Sequence, residues 1–336
     1  MQNSRRSFLF GRGQGRADPW RRFVDELRLA CLGRVDVIDA TAKPAAAREG
    51  AAGLAQPNQA RLAPARAQDV HAARSLCATH GVRLALAGGV GQGERGVAAA
   101  GETGSDGVML TAEAGSDGAA QQADAPTLWV DPSVALTALE PLAGHPRAWR
   151  AEAGCLVAEL QAAGFRQFDA APAGQTLAAW LSDRRCASAT GRGSDSGVLS
   201  LRVMLADGTR AELGPFGAND RQPLRGATLH ALVPRLFELA HGEDAEHCLA
   251  LPRWPVPGRL DALRPPSPAG VNLAHLLLGQ AGTLAWIEEA VLEPAADIAL
   301  QHPADVADAA ASRIHARCKA LFDPHGLFPP LPRRSS

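Results

Sequence analysis

Glycine stands at positions 88, 89, 91, 93 and 96, directly after an apolar run at 82–86 that has strand character. Five glycines in nine residues let the backbone turn sharply. They also remove the side chains that would hold a phosphate away from the amide N–H groups. A loop this bare suits the pyrophosphate of a dinucleotide, with Ala87, Gly88, Gly89, Val90, Gly91, Gln92 and Gly93 as the residues to hold it. The string Gly91-Gln92-Gly93-Glu94-Arg95-Gly96 also spells G-x-G-x-x-G. A nicotinamide site of that kind needs a helix opening inside the string. Here Val97-Ala98-Ala99-Ala100 is cut off by Gly101, Gly104 and Gly107, which leaves room for one turn. A nicotinamide site and a purely structural glycine turn stand as alternatives to a cradle for another dinucleotide.

Other strings carry less chemistry. Gly193-Ser194-Asp195-Ser196-Gly197 has the outline of a nucleophile elbow, but its centre is aspartate rather than serine. His241 and His247 flank Glu243, Asp244 and Glu246, and their spacing of six puts the two imidazoles on poorly matched helix faces. A solvated charged turn is the expectation there. The six cysteines (31, 77, 155, 186, 248, 318) contain no C-x-x-C pair, which argues against a disulfide framework, a zinc site or an iron–sulfur site. No metal ligands are assigned. An arginine beside a histidine is the pairing that could hold an anionic substrate and take its proton. Arg221, Arg225, His230, Arg253 and His275 are candidates by position only, so catalytic residues stay unassigned.

The chain of 336 residues suffices for two modest domains, and its formal net charge of -1 provides no field for nucleic acid or an anionic membrane. Lysine occurs only at Lys43 and Lys319, and tyrosine is absent. Ser4-Arg5-Arg6-Ser7-Phe8-Leu9 has the look of a twin-arginine export motif, but a glycine- and arginine-rich polar stretch follows where an apolar one is required. The expectation is a basic tail, a cytoplasmic protein and no membrane span.

Periodicity predicts helices over 20–32, 68–80, 156–163, 229–239 and 306–321, and strands over 82–86, 128–130, 198–206, 209–213 and 285–292. Asp207-Gly208 signals a hairpin turn between two of these strands. A strand-like island lies at 107–110, and 40–60 and 252–268 read as irregular connections. Short strands alternating with short helices, some paired at tight turns, predict an α+β fold.

The ordered segments resemble the FAD-binding (PCMH-type) domain of the vanillyl-alcohol oxidase / para-cresol methylhydroxylase superfamily. Within it, they are most similar to FAD-linked 2-hydroxy-acid dehydrogenases of the glycolate oxidase and D-lactate dehydrogenase kind. The likeness is carried by Arg61-Leu62-Ala63-Pro64 with Gln68-Asp69-Val70, Leu86-Ala87-Gly88-Gly89-Val90-Gly91, Gln175-Thr176-Leu177-Ala178-Ala179, the stretch 198–208, Gly279-Gln280-Ala281-Gly282-Thr283-Leu284 and Phe322-Asp323-Pro324-His325-Gly326-Leu327-Phe328. The resemblance spans roughly residues 30–330. It implies a two-subdomain fold with FAD between the halves and the pyrophosphate at 88–93. Gln175, Thr176, Ala178, Ala179, Gly193, Val198, Gly282 and Thr283 would lie toward the ribityl and ring side. No histidine lies between His80 and His145 to attach flavin covalently, so the FAD is expected to be non-covalent.

The implied division is a tail and first helix at 1–30, an FAD-binding domain at 31–218 and a short C-terminal region at 219–336. The implied activity is a flavin-dependent dehydrogenase or oxidase acting on CH–OH donors such as a small 2-hydroxy acid, working as a subunit beside an iron–sulfur partner. Several features depart from the family pattern. Ala178-Ala179 replaces a Gly-Gly turn, Ala281 replaces a glutamate, the 176–199 stretch is short, and only about forty residues follow Leu292, so the substrate cap is reduced or missing. These departures motivate a second expectation, a non-catalytic binding or assembly subunit that keeps the fold.

Overall fold

The computed structural model describes residues 18–38, 58–88, 125–186, 188–217, 224–298 and 308–331. The first helix, α1 (Pro19–Ala30), opens where the Asp18 carboxylate accepts the Trp20 N–H and proline occupies the first turn. It buries Phe23, Val24 and Leu27, and the chain leaves it at Cys31, earlier than the apolar pattern suggested. A turn at Leu32 and Gly33 follows, with both N–H groups donating to the buried Asp69 carboxylate. That anchor releases the chain into β1 (Arg34–Ile38), a strand that the sequence reading did not single out.

β2 (Gln59–Ala63) comes next, then α2 (Ala67–His80), which stops at left-handed Gly81. β3 (Arg83–Leu86) and β4 (Thr127–Val130) complete a sheet in the order β1-β2-β4-β3. Only β1 runs antiparallel to its neighbour; β2, β4 and β3 are mutually parallel. The apolar core of this half joins Phe23 and Leu27 to Leu62, Val70, Leu84, Leu128 and Val130.

The second half is built on an antiparallel sheet in the order β5-β6-β11-β7-β8. Its strands are β5 (Leu139–Pro141), β6 (Trp149–Glu152), β7 (Val198–Met204), β8 (Arg210–Leu213) and, far along the chain, β11 (Trp286–Leu292). The small pair β9 (Pro215–Phe216) and β10 (Val271–Asn272) lies apart from it. Around the sheet are α3 (Val157–Ala162), α4 (Leu177–Ser182), α5 (Ala227–Ala240), α6 (Glu243–Leu249) and α7 (Ala309–Phe322). The architecture is thus α+β, as predicted. Segment α6 is a short helix and not the charged turn expected around His241 and His247. Its acidic face is paired with α7, where Arg313 holds Asp244, and His247 bonds Asp308 at the α7 N-cap.

The two halves meet where α2 lies against the second sheet. Arg74 donates to the Ala206 carbonyl, and His71 faces Glu288 at 2.7 Å. The core of the first half also takes in Ala178, Ala179, Met204, Trp286, Leu327 and Phe328, so the seam is apolar and continuous. Most of the described residues expected to contact a cofactor are gathered along this seam. No helix among the described residues is long and apolar enough to cross a membrane.

Candidate functional site

Three chain segments that are remote in sequence converge at the seam. β3 delivers Leu86, Ala87 and Gly88. Ala87 is buried and donates its N–H to Val130, while Gly88 sits at φ +77 with open space where a Cβ would stand. The expected cradle residues Gly89, Val90, Gly91, Gln92 and Gly93 lie outside the described residues, as does the strand-like island at 107–110.

The second segment is α4. Thr176 is its N-cap, and its Oγ1 accepts the Ala179 N–H at 3.3 Å. Leu177 donates to Cys155 and Ala178 to Ala153, so the first turn of the helix is tied to the loop leading out of β6. This stretch read as an apolar turn in the sequence; six consecutive buried residues make it a helix sunk into the core. The Gln175 Oε1 just before it is buried without a hydrogen-bond partner.

The third segment is the loop before β11. Its backbone is anchored on α4, with Gly279 donating to Leu181 and Ala281 to Ser182. Gln280 is buried and organises the turn, since its side-chain oxygen accepts the N–H groups of Leu284 and Ala285 and its amide nitrogen donates to the Ala285 carbonyl. Ala281 adopts φ 57, a left-handed conformation uncommon for a residue with a Cβ. Gly282 follows at φ +70, and a Cβ built there would lie 4.0 Å from the Leu86 Cβ. Thr283 is fully buried, and its hydroxyl donates to the Gln280 carbonyl.

Together these segments line a narrow recess, with room for about one water molecule, between Leu84, Leu86, Ala178, Ser182, Gln280, Gly282, Ala285, Trp286, Ile287 and Phe328. The structure therefore brings Ala178 and Gly282 onto one cavity. Thr176 and Ala179 flank it on α4, Thr283 flanks it on the loop, and Ala87 and Gly88 follow directly from Leu86. Gly193 and Val198 are placed elsewhere. A Cβ on Gly193 would fall 2.7 Å from His275 Nδ1, and the Val198 carbonyl bonds His275 Nε2 at 2.9 Å. Ser182, Gln280, Trp286 and Phe328 line the recess although the sequence reading did not name them as contacts. The blocks containing Gln280 and Phe328 were legible; which of their side chains turn inward was not.

Among the described residues, no acidic, basic or histidine side chain lines the recess. A partly buried charge lies next to it: Lys319 donates to the carbonyls of Thr283 at 2.6 Å and Phe328 at 2.9 Å and to Asp323. Burial lowers the Lys319 pKa, while the Asp323 carboxylate opposes that shift. Burial likewise pushes His275 down, with the Val198 carbonyl acting against it. His275 is thus held neutral by its surroundings and points into a structural bond.

Of the positional candidates, Arg221 is outside the described residues, and His275 belongs to the region next to the buried Arg259–Asp261 ion pair. All six cysteines are buried and free, and burial raises their thiol pKa values, to about 11 for Cys31 and Cys248 and about 12 for Cys155. None is an activated nucleophile. No group of three or more metal-ligating side chains occurs among the described residues.

A flavin can be tested against this geometry. Gly88 and Gly282 are both left-handed, and each leaves free the place where a Cβ would stand. Bare backbone at Gly282, on the recess, and at Gly88, two residues beyond Leu86, offers a cofactor two close approaches to the main chain, while the recess between the described walls admits only about one water. The Ala178 methyl lies on the wall of that recess.

Neither protein-family models nor curated proteins match this sequence. Among solved structures, similarity is found to alkyldihydroxyacetonephosphate synthase, with 16% identity over 70% of this chain and 32% of that one, at a TM-score of 0.36. A solvent-stable cholesterol oxidase gives 18% identity over 71% of this chain and 35% of that one, at 0.33. The 4-ethylphenol oxidase of Gulosibacter chungangensis, in an isoeugenol complex, gives 12% identity over 82% of this chain and 43% of that one, at 0.41. The chain spans about a third to two-fifths of the length of these structures.

Proposed function

We propose that this chain is a flavin-domain protein of the FAD-linked oxidase type, binding FAD without a covalent link. The observation that supports it most is the convergence of Leu86, Ala178 and Gly282 on one recess. Those residues come from three sequence blocks that resemble FAD-contacting segments. In this reading the amides from Gly88 onward hold the pyrophosphate, and the Gly282 backbone and the α4 N-terminus border the ribityl and ring side. Trp286 and Phe328 exclude water from that end. Gln280 holds the loop in shape through its bonds to Leu284 and Ala285. When bound, FAD supplies the acceptor for a hydride from substrate carbon. A small 2-hydroxy acid is the proposed donor, and an iron–sulfur partner subunit the proposed next electron carrier, in a cytoplasmic setting without nucleic acid.

A second reading is favoured by one specific observation: among the described residues, the recess has no titratable side chain along its lining. Oxidation of a hydroxy acid needs a base for the hydroxyl proton. A non-catalytic binding or assembly subunit needs none.

One experiment separates the two. The purified protein is examined for the flavin bands at about 370 and 450 nm, which belong to the cofactor itself, then mixed anaerobically with a 2-hydroxy acid. Yellow protein that bleaches supports the oxidoreductase, and flavin recovered in the supernatant after denaturation supports non-covalent binding. Yellow protein that does not bleach supports the second reading. Colourless protein that takes up no added FAD rejects flavin binding altogether.

A further inference from the structure

The turn between Gln280 and Thr283 is held in a conformation that its sequence does not favour. Thr283 donates its N–H to the Gln280 carbonyl at 3.1 Å, across Ala281 at φ 57 and Gly282 at φ 70, both left-handed as in a type I′ turn. Glycine adopts that hand freely. Ala281 does not, and among the described residues it is the one non-glycine at positive φ. Four ties keep it there. Ala281 donates to the Ser182 carbonyl at 2.8 Å, and the Thr283 hydroxyl to the Gln280 carbonyl at 2.7 Å. The Gln280 side chain accepts from Leu284 and Ala285, and Lys319 donates to the Thr283 carbonyl.

Hydrogen bonds account for the main-chain donors of this loop from Gly279 to Ala285, with two exceptions. Among the described residues, the N–H groups of Gln280 and Gly282 meet no acceptor. Buried main-chain donors are almost always satisfied, by protein, water or ligand, and Gln280 is 1% exposed. Both residues line the recess. Ala281 is left-handed and Gln280 is not. A change of hand between neighbours gathers successive N–H groups on one concave side, a form that binds anions. The recess has room for about one water, and hence for one oxygen atom. Its lining carries no acidic side chain to repel an anion. Ala281 and Gly282 are only partly buried, which leaves that end within reach of a solute.

We propose that the N–H groups of Gln280 and Gly282 form a two-donor site for one carboxylate oxygen of a small organic acid. A carboxylate is favoured over a neutral carbonyl because hydrogen bonds to an ionised acceptor are roughly twice as strong. That the acid is a substrate rests on the oxidoreductase reading; the two donors belong to the chain itself and are tested without flavin.

Glycolate is the probe, added to the isotope-labelled full chain, with sodium chloride at equal ionic strength as the reference and amide resonances followed by NMR. The Gln280 and Gly282 amide protons are expected to move downfield together and to saturate in the millimolar range. Methyl glycolate, with its carboxylate blocked as an ester, is expected to bind at least tenfold more weakly. Gly282→Ala puts a methyl beside the recess, 4.0 Å from the Leu86 Cβ, and is expected to weaken glycolate binding at least tenfold. The ester comparison needs no variant, so it decides the matter even where Gly282→Ala does not fold. Resonances that ignore glycolate, that follow the ester equally, or that move with FAD and not with the acid overturn the proposal. Yellow protein whose two resonances ignore glycolate loses this site and keeps its flavin. Protein that takes up no FAD yet shows the shifts keeps the site and fails the flavin reading.

Discussion

The ammonium of Lys319 on α7 donates to the main-chain carbonyl of Thr283 at 2.6 Å, tying the last helix to the loop that borders the recess. The same nitrogen reaches the Phe328 carbonyl and Asp323, and the Asp323 carboxylate accepts the N–H groups of Leu327 and Phe328. Leu327 in turn accepts the Leu84 N–H from β3. One lysine thereby fastens the C-terminal segment across the edge of the first sheet. Lys319→Met is expected to cost about 2 kcal/mol, because buried carbonyls and a carboxylate lose their cation. Urea denaturation measures it. Lys319→Arg is expected to destabilise as well, since a planar fork cannot copy three compact donors.

Gly282 and Ala178 make opposite predictions for FAD. Gly282→Val puts a branched side chain at φ +70 beside Leu86. It is expected to destabilise the fold by about 1–2 kcal/mol and to raise the FAD dissociation constant at least tenfold. Ala178→Gly removes a methyl from the recess wall. It is expected to tighten FAD binding while lowering stability by about 1 kcal/mol, the helix penalty of glycine. Flavin fluorescence titration reads both, and equal affinity in all three proteins would place the cofactor elsewhere.

Gly193 is glycine for a reason of packing. His275 ring atoms lie 2.7 and 2.8 Å from the position of an added Cβ. Gly193→Ala is therefore expected to cost about 2 kcal/mol through overpacking. Combining it with His275→Ala should recover part of that cost, a non-additivity that thermal melts of the four-member cycle reveal.

Stability should fall on mild acidification. Burial lowers the pKa of both His275 and His315 in the folded chain, against about 6.5 when unfolded. Between the lowered folded values and about 6.5 the unfolded chain binds more protons, so stability rises with pH there and is lost as pH falls through that window. The slope approaches about 1.4 kcal/mol per pH unit for each such proton. His315→Gln is expected to flatten the unfolding free energy measured between about pH 6.5 and 5. An unchanged slope would show that His315 does not contribute to the effect.

Much of the architecture was legible because it is written in local terms. The hairpin turn at Asp207-Gly208, the stop at Gly81 and the apolar runs of β7 and β11 each declare themselves within a few residues. β1 did not, because its alternation of Arg34 and Asp36 with Val35 and Val37 covers only five residues and its start depends on Asp69, a partner far along the chain. α4 read as a turn because its amphipathic pattern is erased: every residue in it is buried.

By itself the sequence determined the glycines that follow β3 and the α+β alternation, since turn chemistry and periodicity act over short distances, while the blocks expected along one crevice were implied by the family resemblance. Only the tertiary structure decided which of those blocks meet. Contacts between Ala178, Gly282 and Leu86, like the seating of Lys319 under Thr283, arise from long-range packing, and no local pattern encodes which buried faces find each other.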